Sequence, residues 1–370
     1  MDRNRTHVPM RPPGYALSLL IAVLLVALGG PLGAEQIGNA RVDPGITSYA
    51  GPASLKGSLV IAGSDTMYPL MVKLVSSFQQ FHRSAKLGVE GGGTEKALMK
   101  FISDQSGIRR GDADVGAHQV SGSVGLMASS RPLTREERDD FRTRYGFEVT
   151  EVPIAMDAVA LYVNKANPIQ GLTLEQVDAI FGAERKRGVS DDISTWGQVG
   201  LKDEWERESI HLYGRGKDSG TRTFFIHTAL LGGNLKSSIT EEPGSASEIL
   251  AISRDTLALG YAGIGFQTSF VRPVPLAEKT GMPYVPPSAE AAAQGSYPLG
   301  RPLYLYAKKD PSRELEPVIL EFLKFVNSWE GQLTVAKSGL YPLPATQVAK
   351  NLRTLTGSDP SSAVLSSPKK

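Results

Sequence analysis

The chain has 370 residues and no cysteine, which excludes disulfides, thiol catalysis and cysteine metal ligands. Its formal net charge is +2, and the first 34 residues, with three arginines and one aspartate, carry the same +2. The remainder is therefore near neutral and offers no broad basic field to nucleic acid or a membrane surface.

The first 34 residues are predicted to form a secretory signal peptide. Arg3, Arg5 and Arg11 precede an apolar run from Tyr15 to Leu28, which is shorter than the roughly 20 residues that a membrane span needs. Small residues follow, so cleavage is expected near Ala34. An uncleaved anchor is the alternative. Since no cysteine is available for a lipid anchor, the sequence predicts a free periplasmic protein.

Strands and helices alternate along the rest of the chain. A Gly/Pro/Ser-rich lead-in over residues 35–55 is predicted to be loosely ordered. Strands are predicted at 59–62, 87–89, 124–128, 158–163, 210–213, 261–264 and 303–306. Helices are predicted at 67–81, 95–102, 134–145, 223–231, 246–259 and 316–329. Segment 283–295 is expected to be an excursion loop, and residues 351–370 a disordered tail. This alternation predicts an α/β fold with mostly parallel sheets flanked by helices.

Four hydroxyl-bearing turns follow predicted strands and precede predicted helices. They are Gly63–Thr66, Gly92–Thr94, Ser129–Pro132 and Ser219–Thr221. Ser, Thr and Asp are good N-caps, so helix initiation explains each turn by itself. In parallel α/β sheets, however, ligands collect at the carboxyl ends of strands, where such turns converge. The four turns together therefore favour a shared oxyanion site.

The stretch from Gly214 to Arg222 is the most specific of these features. Arg215 precedes Ser219 by four residues, and Ser219-Gly220-Thr221 stands where a helix begins. A helix N-terminus offers unpaired N–H groups and about half a positive charge. With two hydroxyls and a guanidinium added, it forms a small oxyanion receptor. Asp218 is expected either to orient Arg215 or to form an ordinary surface salt bridge with it.

Other chemistry has little support in the sequence. The Gly-rich run from Val89 to Lys96 lacks the Gly-Lys-Ser/Thr ending of a P-loop. The five histidines show no metal-ligand spacing, and no Gly-x-Ser-x-Gly nucleophile elbow is present. No cofactor, metal or catalytic residue is predicted. Arg131 is expected to have a surface or lobe-interface role.

Several motifs resemble the PstS-type phosphate-binding proteins of phosphate ABC importers. They are Gly63–Leu70, Ala128–Leu133, Arg215-x-x-x-Ser219-Gly220-Thr221, Val152–Ala160, Tyr297–Tyr304 and Ser338–Leu343. The resemblance implies a two-lobed, type II periplasmic-binding-protein fold with two crossing segments, near Asp157 and Gly265. Residues 56–156 and 266–350 would form a discontinuous lobe I, and residues 157–265 would form lobe II.

The same resemblance implies a monomeric, non-enzymatic protein that captures inorganic phosphate and delivers it to the membrane permease subunits. No nucleic acid is expected as a partner. Thr66, the Met67 backbone N–H, Thr94 and Ser130 would contact the anion from lobe I. Arg215, Ser219, Gly220 and Thr221 would contact it from lobe II.

One position departs from a common family pattern. Many members carry an aspartate where this chain has Ser130, and that carboxylate accepts the proton of phosphate and rejects sulfate. Asp65 and Asp218 remain as possible substitutes. One alternative is therefore a protein that binds sulfate, another tetrahedral oxyanion or a phosphoryl compound. The 283–295 segment and the Ser-rich tail leave room for a phosphate-sensing or adhesive protein, and a phosphatase is a further alternative with less support.

Overall fold

The computed structural model describes residues 41–103 and 123–357. The predicted signal peptide, its cleavage near Ala34, and His7 and His118 lie outside the described residues. In the described residues, no helix is both long and apolar enough to cross a membrane.

Strands and helices alternate through most of the described chain. The strands are β1 Gly57–Gly63, β2 Ala85–Glu90, β3 Val124–Ser129, β4 Thr150–Asn164, β5 Leu172–Thr173, β6 His211–Arg215, β7 Thr240–Glu242, β8 Ala258–Gly263, β9 Val271–Val274, β10 Leu276–Ala277 and β11 Gly300–Ala307. The helices are α1 Tyr68–Phe81, α2 Thr94–Ser103, α3 Arg135–Tyr145, α4 Leu174–Phe181, α5 Gly220–Ala229, α6 Ser245–Arg254, α7 Ala289–Ala293, α8 Pro317–Val326, α9 Trp329–Ala336 and α10 Ala345–Thr356.

Nine strands form one sheet in the order β2-β1-β3-β11-β4-β8-β6-β7, with β9 also paired to β4. Strand β1 runs parallel to β2 and β3, and β6 runs parallel to β7 and β8. The central strands β11 and β4 are antiparallel to their neighbours. We call β1, β2, β3 and β11 with α1 to α3 the β1 half, and β6, β7 and β8 with α5 and α6 the β6 half. The predicted α/β fold class is confirmed.

Strand β4 belongs to both halves. Its first part pairs with β11 as far as Ala158, and from Val159 onward it pairs with β8 and β9. Its 15 residues span about 50 Å at about 3.3 Å per residue. Asp157 lies at the change of partner, close to where the sequence predicted a crossing. The lobe boundaries at residues 156 and 266 stay a prediction.

The sequence of the β1 half explains why hydroxyls gather at one edge. Residues Leu59 to Ala62 are buried, and α1 covers the strands with Leu70, Leu74, Phe78 and other apolar side chains. Because β1 and β3 are parallel and each is followed by a turn, their carboxyl ends bring those turns to the same edge. The parallel strands of the β6 half do the same for the turn before α5.

Four boundary predictions are wrong. The predicted tail from residue 351 is helical to Thr356, because α10 packs Val348, Asn351 and Leu355 inward. The predicted excursion at 283–295 contains α7, which buries two alanines. The helix predicted at 246–259 ends at Arg254, since the apolar residues after it form β8. The helix predicted at 316–329 ends at Val326, and α9 begins at Trp329.

The lead-in predicted to be loosely ordered is anchored from its middle onward. It forms no helix or strand from residue 41 to 56, yet Tyr49 packs edge-on against Phe81 and Phe325. The Tyr49 hydroxyl donates to Glu321 Oε2 at 2.9 Å and lies 2.8 Å from His82 Nε2. A phenol has one proton, so its oxygen accepts from the Nε2–H of the histidine. The lead-in is therefore fastened to α1 and α8 by a buried polar contact.

We predict that Tyr49→Phe lowers the free energy of unfolding by about 1–3 kcal/mol, because it leaves two buried polar partners unsatisfied. Urea denaturation followed by circular dichroism measures this. Tyr284→Phe is the control, since Tyr284 is 48% exposed. Equal stability of the two variants would show that the Tyr49 contact does not fasten the lead-in.

Candidate functional site

The four predicted hydroxyl-bearing turns lie close together where the β1 half faces the β6 half. The hydroxyls of Thr66, Thr94, Ser130 and Thr221 are buried. Thr66 Oγ1 and Thr221 Oγ1 are 2.8 Å apart, and they belong to opposite halves of the sheet. Thr94 Oγ1 lies 3.5 Å from both the hydroxyl and the backbone N–H of Ser130. The sequence prediction that these turns converge is correct in geometry.

The N-terminus of α5 fits against the β1 half at Gly220. A Cβ added at Gly220 would lie 2.5 Å from Thr94 Oγ1 and 2.8 Å from Ser130 Oγ, so only glycine fits here without displacing them. Ser219 caps the helix by accepting from the backbone N–H of Arg222 at 3.4 Å. The first N–H groups of a helix have no partner within the helix. At the start of α5, these unpaired N–H groups therefore lie near the hydroxyls of Thr94 and Ser130.

Arg215 is 1% exposed at the end of β6, where its side chain is fixed by three acceptors. Nη1 donates to Ser245 Oγ at 2.7 Å, and Nη2 donates to the Pro243 carbonyl at 3.2 Å and to Asp65 Oδ2 at 3.3 Å. Its Nε has no hydrogen-bond partner in the part of the chain that the structure describes. The buried guanidinium is thus oriented by protein groups, and its Nε–H stays unused.

The carboxylate that holds Arg215 comes from the first turn and not from Asp218. The predicted Asp218 contact is wrong, because Asp218 pairs with Lys96 at 2.9 Å. Asp65 accepts from Arg215 and also, through Oδ1, from the backbone N–H of Gly92 at 2.8 Å. Sequence reasoning could not find this partner, since 150 residues separate Asp65 from Arg215.

Met67 differs from the other predicted site residues. It is fully buried, and its backbone N–H donates to the Ser64 carbonyl at 3.0 Å. The turn before α1 therefore uses the N–H that was predicted to contact the anion.

Arg131 was predicted to have either a surface or a lobe-interface role, and the structure places it away from the surface. It is 4% exposed and donates to Glu95 Oε2 at 2.5 Å and to Glu137 Oε1 at 2.6 Å. Glu95 Oε1 in turn accepts from the Thr223 hydroxyl at 3.1 Å. Because Glu95 belongs to α2 and Thr223 to α5, Arg131 supports a contact between the two halves, which agrees with the interface alternative.

The sequence analysis missed a buried ion pair beside the hydroxyls. Arg301 on β11 donates from Nε and Nη2 to Asp157 Oδ2 at 3.0 and 2.9 Å, and both side chains have zero exposure. Nη2 also donates to Thr221 Oγ1 at 3.0 Å. Burial lowers the pKa of Arg301 and raises that of Asp157, and each opposes the other's shift. A charged residue within an otherwise apolar strand was the available signal.

Glu248 on α6 was also missed. It is completely buried, and its Oε1 accepts from the backbone N–H of Tyr261 at 2.9 Å. Burial raises the pKa of Glu248 to about 8, although that hydrogen bond and the charge of Arg215 oppose the rise. With a raised pKa, Glu248 is mainly protonated at pH 7 and adds little negative charge near Arg215.

The arrangement of these side chains is better suited to binding a small anion than to binding a metal ion or catalysing a reaction. No group of three or more His, Cys, Asp or Glu side chains is placed to hold a metal ion within residues 41–103 and 123–357. Hydroxyls, a helix N-terminus and a buried guanidinium donate hydrogen bonds, and a tetrahedral oxyanion accepts them on every side. The donors gathered here could therefore bind a small anion.

Comparison with known proteins gives several matches. A family model described as a PBP superfamily domain matches residues 48–330. The chain is 35% identical over 339 residues to the phosphate-binding protein PstS of Pseudomonas aeruginosa, covering 92% of this chain and 99% of that protein. It is also 25% identical over 298 residues to protein SphX of Synechococcus elongatus, covering 79% and 80% of the two chains.

Two solved structures share the fold. A putative phosphate ABC transporter substrate-binding protein with bound phosphate, from Clostridium perfringens, matches with a TM-score of 0.61 at 23% identity, covering 78% of this chain and 100% of that one. An ABC-type phosphate transport receptor from Vibrio cholerae matches with a TM-score of 0.57 at 20% identity, covering 77% and 100%. These likenesses confirm the predicted binding-protein fold.

We predict that Glu248→Gln changes how stability depends on pH. The folded pKa of Glu248 lies above its unfolded value, so its contribution to stability is present in full below the unfolded pKa of about 4.3 and is lost as pH rises through about 8. The variant lacks this loss and should gain stability relative to the parent between about pH 5 and about pH 8. Urea unfolding across this range measures the difference, with the exposed Glu314→Gln as control. A pH-independent difference would contradict a buried, neutral Glu248.

Proposed function

Because the chain belongs to the PBP superfamily, and within it to the PstS-type phosphate-binding proteins, we propose that it captures inorganic phosphate for an ABC transporter. The observation that carries this proposal is the set of buried donors from both halves of the sheet. Thr66 and Thr221 contact each other across the halves, and Arg215 reaches Asp65 in the same way. An anion between them would bind to both halves at once.

The proposed ligands are Thr66, Thr94, Ser130, Arg215, Ser219, Gly220 and Thr221. The hydroxyls of Thr66 and Thr221 can donate one hydrogen bond between them, because their other proton lies in their shared bond. The other hydroxyls can donate as well, Gly220 and Thr221 can donate from the backbone, and Arg215 keeps an unused Nε–H. A hydrogen bond to a charged group contributes about 1.5–3 kcal/mol net. Micromolar affinity needs about 8 kcal/mol, so a few such bonds suffice after the entropy cost of binding.

The two lobes are proposed to be residues 56–156 with 266–350, and residues 157–265. The anion would stabilise their closed arrangement, because it gains donors from the second lobe only when the lobes meet. The contact of Gly220 with Thr94 and Ser130 supports such a closed arrangement. Helices α2 and α5 would separate when the lobes open.

We propose a role outside the cytoplasm, with the signal peptide removed near Ala34. The partners would be the membrane permease subunits of the importer, and the binding protein would act as a monomer without catalysing a reaction. The relatives are binding and transport proteins by name, which supports a non-enzymatic role.

A titration with phosphate tests the function and the site together. We predict that phosphate stabilises the protein and releases or absorbs heat at neutral pH. Gly220→Ala should weaken binding roughly tenfold or more, since its Cβ would enter the space between Thr94 and Ser130. Isothermal titration calorimetry and thermal unfolding with and without phosphate are the measurements.

Gly216→Ala is the matched control from the same turn, because its Cβ would be no nearer than 3.8 Å to another residue, at Glu241 Oε2. No heat and no stabilisation with the parent protein would refute phosphate capture. Normal binding by Gly220→Ala would refute the site and leave the function open.

A second candidate function is the binding of sulfate or another unprotonated tetrahedral oxyanion. It is favoured by Ser130, which is a hydroxyl where many family members carry a carboxylate. Asp65 does not stand free to replace that carboxylate, because it already accepts from Arg215 and Gly92.

We predict that sulfate competes with phosphate in the parent protein, and that Ser130→Asp reduces the competition by repelling an anion that has no proton to donate. Phosphate titrations with and without excess sulfate measure this, and Ser130→Ala serves as the control. If excess sulfate leaves the phosphate affinity of the parent unchanged, the sulfate candidate is eliminated.

A further inference from the structure

Arg301 is a buried cation whose contacts reach the proposed site through another residue. Its Nη2 connects Asp157 Oδ2 to Thr221 Oγ1, at 2.9 and 3.0 Å. The guanidinium carbon lies 5.2 Å above the ring of Phe224, which covers it from the side of α5. Arg215 donates instead to the hydroxyl of Ser245, which is not in the proposed ligand set, so the side chain of Arg301 has a different relation to the site.

The hydrogen bond from Arg301 constrains the protons of two hydroxyls. Arginine only donates, so Thr221 Oγ1 must accept from it. Thr66 Oγ1 and Thr221 Oγ1 are 2.8 Å apart and hold two protons between them, of which one lies in their shared hydrogen bond. The second proton must point to a third acceptor. The pair keeps this proton with or without Arg301, but Arg301 occupies a lone pair of Thr221 Oγ1 and so reduces the capacity of the pair to accept a hydrogen bond from a ligand.

We propose that Arg301 is a positioning residue of the anion site, which fixes the Thr221 hydroxyl and favours donation over acceptance by the Thr66–Thr221 pair toward the bound anion. The proposal rests on the proposed function, because it requires an anion between these hydroxyls. It extends that function by adding a residue that does not itself contact the ligand.

The location of Asp157 links this role to the crossing segments. Asp157 Oδ1 accepts from the backbone N–H of Ile264 at 3.1 Å, and Ile264 directly follows β8. A Cβ on Gly263 would lie 3.1 Å from both Asp157 Oδ2 and Thr66 Cγ2, so the ion pair and the hydroxyls are packed together. Asp157 therefore holds Arg301 at the position where β4 changes partner.

Charge balance supports a role toward an anion. Arg301 Nη1 is buried and has no hydrogen-bond partner among the described residues. Burial is the main cause that lowers the pKa of Arg301, and the charge of Arg215 lowers it further. Two buried cations that repel each other are stabilised by a negative charge bound near both.

Replacing Arg301 alone would leave Asp157 buried and unpaired, which destabilises a fold strongly. The test therefore uses the double substitution Arg301→Gln with Asp157→Asn, in which both side chains stay polar and neither carries a charge. The control is Arg138→Gln with Glu151→Gln, which removes another ion pair of β4 that contacts none of the site hydroxyls. Circular dichroism melting first establishes that each variant is folded.

Phosphate affinity is then measured by titration calorimetry in a cycle with Thr221→Val. We expect the Arg301/Asp157 double variant and Thr221→Val each to weaken phosphate binding about tenfold, and the control not to. If Arg301 acts through the Thr221 hydroxyl, combining all three substitutions should cost no more than about twofold beyond Thr221→Val alone.

Two results would overturn the proposal: unchanged affinity of the Arg301/Asp157 variant, or losses that multiply in the combined variant. A structural effect of the ion pair would multiply in this way. If the parent protein does not bind phosphate, the proposed function itself is refuted, and this result differs from the two that concern the variants.

Discussion

The structure depends on the burial of two guanidinium groups, those of Arg215 and Arg301. Removing an arginine from water is costly unless carboxylates and other acceptors replace its hydration. Arg215 receives Asp65, Ser245 and a backbone carbonyl, and Arg301 receives Asp157 and Thr221. These acceptors come from both halves of the sheet. Satisfying the two cations therefore also brings together the turns that carry the proposed ligands.

A protein with almost no net charge can in this way have a strongly positive local electrostatic potential at one site. The chain beyond residue 34 has no net charge to attract an anion over long distances. Local charge arises instead from the buried guanidinium of Arg215, near which a mainly protonated Glu248 adds little negative charge, and from the unpaired N–H groups at the α5 N-terminus. Attraction of this kind acts within a few ångströms and therefore favours an anion that fits the site closely. Such an attraction allows a protein to select among small anions.

Local patterns in the sequence predicted the turns but not their partners. Thr66, Thr94, Ser130 and Ser219–Thr221 each lie between an apolar strand and a helix, so hydroxyls in such turns could be found from spacing alone. The partners of the arginines are distant in sequence and follow from packing: Asp65 for Arg215, and Asp157 for Arg301. Asp218 was the nearest carboxylate to Arg215 in sequence, but Lys96 engages it instead. Long β4 and terminal α10 were missed in part because their apolar positions are interrupted by polar residues that the fold buries.

Strand β4 also limits how this protein can change in length. Side chains alternate faces along a strand, so a deletion of one residue turns every later side chain to the opposite face. Since β4 pairs with β11 before Asp157 and with β8 after it, one deletion would put the two halves out of register with each other. Insertions in the surface loops have no such effect. The length of β4 is therefore under stronger constraint than its composition. In related chains, we expect insertions and deletions to be rarer between Thr150 and Asn164 than in the surface loops.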